Sequence, residues 1–226
     1  MKKILIIFLS AFLSISLYSQ SLGFSYFFPV NGYFSNPIAP LKLSIPVTFG
    51  DYFEISPGVA LYSIGGMGMT DLNEGYENSR PLVGPFHSFN ATIVPTIVIP
   101  SGTFRYDLHA GIFAFHTFNT KLLTGNFEQM ILKKENFQAL SSDLKLDSRG
   151  WGWGFLYGLT VKFKITGKIW GKMGCDYYSG SQEMPVSGSY YASSFDKPLQ
   201  KYYLDHPDAR LDYRGFNVNI GVVLKK

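Results

Sequence analysis

The sequence predicts an all-β chain, an eight-stranded antiparallel up-and-down transmembrane β-barrel with short turns at one end and long loops at the other. Three observations predict it. Apolar and polar residues alternate strictly over successive segments, short and long connections alternate along the chain, and aromatic residues gather near the strand ends. Composition sets the frame: of 226 residues, 46% are apolar and 17% aromatic, but only 16% are charged. Soluble domains carry roughly 25% charged residues. Disorder is excluded, because it needs many charges and few aromatics. The single cysteine, Cys175, excludes an internal disulfide framework and a Cys-based zinc site. A net charge of +4 is too diffuse for a nucleic-acid partner, which needs a concentrated basic face.

The first segment reads as a leader. Lys2 and Lys3 precede an apolar stretch, Ile4 to Leu17, and small Ser19 stands before Gln20. A basic start, a short apolar core and a small residue at its end describe a secretory signal peptide. The stretch is shorter than the ~20 residues of a spanning helix. Cleavage is expected after Ser19, leaving a barrel domain over residues 20–226.

The strands follow in order. Successive strand side chains point to opposite faces, so a period of two marks a sheet with one apolar and one polar side. Leu22, Phe24, Tyr26 and Phe28 oppose Gly23 and Ser25. Leu41, Leu43, Ile45, Val47 and Phe49 oppose Lys42, Ser44 and Thr48. Phe53, Ile55, Val59 and Leu61 oppose Glu54, Ser56 and Gly58. Phe89 to Ile99 repeats the rhythm against Ser88, Asn90, Thr92 and Thr96. Phe104, Tyr106, Leu108 and Ile112 oppose Arg105, Asp107 and His109. Trp151 to Ile165 opposes Gly152, Gly154, Thr160, Lys162 and Lys164. Ile169, Met173, Cys175 and Tyr177 oppose Lys172, Gly174 and Asp176, and Phe216 to Leu224 opposes Asn217, Asn219 and Gly221.

Three connections are tight and rich in turn residues: Gly50-Asp51-Tyr52, Pro100-Ser101-Gly102 and Thr166-Gly167-Lys168. The other four, at about 30–40, 63–85, 117–148 and 179–209, are long. Strict alternation in a meander gathers the short turns at one end. A soluble barrel is apolar inside and polar outside. Here the polar parity is crowded with Gly, Ser, Thr and Asn, too few charges for a wetted exterior, whereas the apolar parity is broad and aromatic. The polar parity is therefore expected to line the lumen and the apolar parity to face hydrocarbon. Closing the sheet pairs every backbone group, as a bilayer demands.

On these features the chain resembles the small eight-stranded outer-membrane β-barrel proteins of Gram-negative envelopes, across residues 20–226. The resemblance is architectural. It implies short periplasmic turns, long extracellular loops and residence in the outer membrane. The expected function is that of a non-enzymatic integral outer-membrane protein, a structural envelope component or an accessory subunit of a larger complex. An alternative is an adhesin-like barrel that binds through its loops. A third reading, a lipid A-modifying enzyme, follows from enzymes known among small outer-membrane barrels. No cofactor is expected. Expected partners are outer-membrane lipids and, for a subunit, other outer-membrane or periplasmic proteins.

Three groups of residues are candidates for function. Glu54, Arg105, Asp107, Lys162, Lys164, Lys172 and Asp176 share the lumen parity. Register counted from the turns sets Thr48 against Glu54 and Lys162 against Lys172, so the cations need inward acids nearby. Eight strands leave room for little beyond side chains, which favours a salt-bridge plug over a pore; an ion path or gate is the sharper alternative. His87 and His116 lie on the apolar parity of adjacent strands, expected roughly opposite each other at the rim, facing lipid headgroups. Ser88 and Thr117 point away from them, and no carboxylate shares their parity nearby, so a triad is not expected. In the last loop Tyr190, Tyr191, Phe195, Tyr202 and Tyr203 stand amid polar residues, as binding anchors do, or else as strand extensions and loop self-packing. Phe127, Met130, Ile131 and Phe137 or Leu140 approximate a helical stripe, predicting a short helix over the barrel mouth.

Overall fold

The computed structural model describes residues 20–32, 41–72, 80–195 and 197–224; the predicted leader, 1–19, lies outside them. Eight antiparallel staves close into a barrel. In chain order they are β1 (Gln20–Pro29), β2 (Leu41–Ser44) continued by β3 (Val47–Phe49), β4 (Phe53–Ile64), β6 (Phe86–Ser101), β7 (Phe104–Phe118), β9 (Gly152–Lys164), β10 (Ile169–Glu183) and β13 (Arg210–Leu224). Closure comes from β1 against β13, paired from Gln20↔Leu224 to Pro29↔Gly215. The second stave is split at Pro46, which cannot donate to a ladder. Ile45 N still reaches the Pro57 carbonyl at 2.9 Å, so the stave stays in line.

Alternation sets which face each side chain takes. Leu61, Ile93, Ile97, Leu108, Leu159, Met173 and Ile220 all stand exposed on the outside, whereas Glu54, Thr92, Asp107, Lys162, Asp176 and Asn217 are buried in the bore. An outer surface of this kind would be untenable in water but matches a hydrocarbon solvent. Exposed aromatics mark its borders: Phe49, Phe53, Phe104 and Tyr106 at the short-turn end, Phe28, Phe118, Trp151 and Trp153 at the other. About 9–11 tilted residues cross a bilayer. The 15 residues of β7, β10 and β13 and the 16 of β6 therefore project beyond it at the long-loop end.

The projecting ends carry a folded cap. The third long connection holds α1 (Thr124–Glu135) and β8 (Ala139–Leu146); the fourth forms a hairpin, β11 (Val186–Ser194) and β12 (Lys197–His206). These strands form a separate sheet in the order β12-β11-β8, and β5 (Met69–Thr70) adds to the end of β13. The helix buries Phe127, Met130 and Ile131, three of the predicted stripe, against Leu82, Val186, Tyr190, Ala192 and Leu204. It ends where Asn136 turns left-handed (φ 54°), with Lys133 and Lys134 in the last turn, where cations complement the dipole. The long loops thus own a hydrophobic core, in line with strand extension and self-packing of the last loop and with the predicted helix in the third.

Candidate functional site

The bore is layered by chemistry. Toward the short turns, the tight β3–β4, β6–β7 and β9–β10 connections bring Glu54, Arg105, Asp107 and Lys162 together. They close a ring of alternating charge: Arg105 Nη2 donates to Glu54 Oε2 at 2.6 Å and Arg105 Nε to Asp107 Oδ1 at 3.0 Å. Lys162 Nζ donates to Asp107 Oδ2 at 2.6 Å and to Glu54 Oε1 at 3.2 Å. Two acids and two bases balance, and all four are buried. The predicted register holds: Thr48 faces Glu54 and Lys162 faces Lys172.

Asp176 organises a second cluster. It accepts from Lys42 Nζ at 3.2 Å, from the amides of Asn217 at 3.1 Å and Asn219 at 3.2 Å, and pairs with His109 Nε2 at 2.7 Å. Barrel closure, which pairs β1 with β13 and so carries β2 and β10 round to the same side of the bore, is what brings Lys42 to it. Asn217 also accepts from Ser25 at 2.5 Å and Tyr62 at 3.3 Å, which links this cluster to the layer above.

That upper layer is aromatic. Phe27, Tyr62, Phe113, Phe115, Tyr178 and Tyr213 are buried at the bore's centre, with Phe115 and Tyr213 centroids 4.2 Å apart and Phe113 and Tyr178 4.8 Å apart. The rings need glycine neighbours. A Cβ on Gly152 would run into the Phe115 ring, and one on Gly180 would meet Phe113. Ion ring, asparagine layer and aromatic layer occupy the narrow lumen that eight strands enclose and leave a small cavity among its charged groups.

Other candidates fall elsewhere. Lys164, expected in the network, is exposed at the short-turn mouth opposite Trp170, because β9 ends there and its last side chain leaves the bore. Lys172 is buried but stands outside both ion clusters, bonded to Ser21 Oγ. His87 and His116 face outward, but not opposite each other: His87 pairs with Phe118, and His116 with Phe89, an offset of two residues. His116 Nδ1 lies 3.0 Å from the Gly150 carbonyl with Trp151 beside its ring, and His87 packs on Phe118. Among the described residues no carboxylate is bonded to either ring, which is what general-base chemistry would need. No group of three or more His, Cys, Asp or Glu among the described residues is placed to hold a metal.

The five loop aromatics divide by parity. Tyr190 and Tyr202 stack at 5.2 Å, with Phe137 against Tyr202, and Tyr190 is buried in the cap core. Tyr190 is therefore no free anchor, since β11 turns it inward. Tyr191 and Tyr203 lie on the outer face with Lys201 Nζ 5.7 and 5.1 Å from their ring centres. Phe195, at the hairpin tip, is 92% exposed, and Tyr203 81%.

One pH-dependent element belongs to the cap. His206 is buried opposite Val186, and burial lowers its pKa below the usual imidazole value. The unfolded cap then binds the proton more readily, so stability rises with pH. The contribution is full above about pH 6.5, the unfolded value, and falls away as pH drops below it. Limited proteolysis of the cap is expected to accelerate at pH 5.5 relative to pH 7.5, and His206→Gln to remove that difference.

This constellation has the architecture of an outer-membrane β-barrel, and comparison with solved structures agrees. The fold is similar to the outer membrane protein OprG from Pseudomonas aeruginosa, at 14% identity and a TM-score of 0.52, over 92% of this chain and 94% of that one. It also matches a major outer membrane protein from Thermus thermophilus at 10% identity and a TM-score of 0.44, over 92% and 96%. A third is the Yersinia pestis outer membrane protein Ail, at 12% identity and a TM-score of 0.35, over 89% and 97%. No protein-family model and no curated protein sequence matches the chain.

Proposed function

We propose that this chain is a non-enzymatic integral outer-membrane protein in which the barrel is a sealed anchor and the cap is the working part. The cap holds another envelope macromolecule at the cell surface, so the protein serves as an accessory subunit of a larger outer-membrane assembly. One observation carries this reading. The hairpin spends one face, Tyr190, Ala192, Tyr202 and Leu204, on the cap core, yet its other face bears Tyr191, Leu199, Lys201 and Tyr203, with Phe195 at the tip. Aromatics flanking a cation on a rigid sheet suit a macromolecular contact. The filled bore speaks against a porin. The leader directs export, and the mature chain is expected by mass spectrometry to begin at Gln20.

The test is purification from native membranes in mild detergent. Wild type is expected to bring down an envelope protein in stoichiometric amount, and the triple variant F195S/L199S/Y203S to lose it while its barrel resists heat as before. A wild type that carries no partner would defeat the subunit reading in favour of the adhesin-like one, which binding of the purified protein to host or matrix glycans would test. The enzyme reading rests on His87 and His116; mass spectra of lipid A with and without the gene are expected to be identical.

A further inference from the structure

The lumen charges do not cancel. The ring holds two acids and two bases, and Lys42 answers Asp176. Lys172 is left over: it is 7% exposed, and none of these carboxylates pairs with it. Its stem crosses β13 and β1 over Gly221 and Gly23, where a Cβ would crowd its Cε, and its ammonium donates to Ser21 Oγ. Lys162 stands directly across the strand pair. A buried ammonium beside like charges is costly unless something of opposite sign meets it.

The space for such a group exists. A cavity of about 70 Å³ opens beside Lys172, lined also by Ser21, Ser44, Ser56, Lys42 and Lys162. The ammonium groups of Lys42, Lys162 and Lys172 and the hydroxyls of Ser21 and Ser44 can donate into it. Its acids, Glu54, Asp107 and Asp176, already accept from cations. The walls reach the short-turn end at Pro46 and Val223, where exposed Lys164 and Lys168 outnumber Asp51. A field of this sign draws anions inward.

We propose that this cavity is a binding site for a small free tetrahedral oxyanion, phosphate or sulfate, which enters from the short-turn mouth and neutralises Lys172. Lys42, Lys162 and Lys172 converge on the cavity from three staves, so the oxyanion is held inside the bore and not on its rim.

The test is urea unfolding of the full mature barrel in detergent, followed by tryptophan fluorescence at constant ionic strength. Phosphate replacing chloride is expected to raise the midpoint saturably, the unfolding equilibrium shifting about 100-fold at a hundred times Kd. Oxyanions also stabilise proteins generally by exclusion from their surfaces, but that effect neither saturates nor depends on one residue. Lys172→Met is expected to abolish the saturable part; Lys172→Gln, which keeps a donor to Ser21, serves if the first variant does not fold. A saturable shift that survives in either folded variant overturns the proposal. So does the absence of saturation in wild type. The double variant K164Q/K168Q is expected to keep the saturable shift; its loss there would place binding on the open rim and overturn the cavity site.

Discussion

Glu54→Ala is expected to be among the most damaging single substitutions in the barrel, at about 3–5 kcal/mol, the cost of leaving buried charges without their partner. Glu54 accepts from both Arg105 and Lys162, and the ring has no other acid but Asp107. Removing it leaves two cations facing one carboxylate, with Lys172 already uncompensated nearby. Ser56, which donates to Glu54 Oε1 at 3.0 Å, cannot replace the charge. The measurement is heat-modifiability on gels: the folded band should be lost at a markedly lower temperature than in wild type, whereas Tyr203→Ser in the cap should leave it unchanged. Equal temperatures for wild type and Glu54→Ala would mean that the ring contributes nothing to stability.

Phe115→Ala is expected to cost a similar amount, about 3–5 kcal/mol, by a different mechanism. Phe115 is fully buried, packed against Phe113 at 5.6 Å and Tyr213 at 4.2 Å. Gly152 provides no side chain to collapse into the void. The lost dispersion contacts therefore go unreplaced. Phe155→Ala, on the lipid-facing side, should cost far less, because a lipid chain fills the space. Comparing urea midpoints of the two variants checks this, and similar midpoints would place the aromatic layer outside the stabilising core. The ion ring below is intact in Phe115→Ala, so planar-bilayer conductance should stay at baseline.

Local pattern reaches some of these features and not others. The facing of Thr48 with Glu54 and of Lys162 with Lys172 follows from tight turns, which pin register within a few residues. The ring was legible for the same reason: its members sit within a few positions of a turn. Lys42 with Asp176 spans 134 residues, and no local pattern reports which staves meet after closure. The aromatic layer was hidden because Phe113, Phe115, Tyr178 and Tyr213 occupy the parity that is polar lower in the bore. Apolar residues on both faces blur a period of two, and the strands read as ending at Ile112 and Tyr177. The cap strands alternate too, Tyr190 and Ala192 against Tyr191, but inside long connections they read as loop. Lys164 has the right parity and the wrong depth, which alternation does not encode.

Alternation and turn chemistry alone determined the staves, their register at the tight turns and the side of each stave that meets lipid, because a residue's neighbours in the chain set which way its side chain points. Barrel closure and the docking of distant loops decided the rest: the Asp176 cluster, the surplus charge of Lys172, the aromatic layer and the outward hairpin face. Those depend on which groups share one narrow bore, and that is settled by packing between residues far apart in the chain.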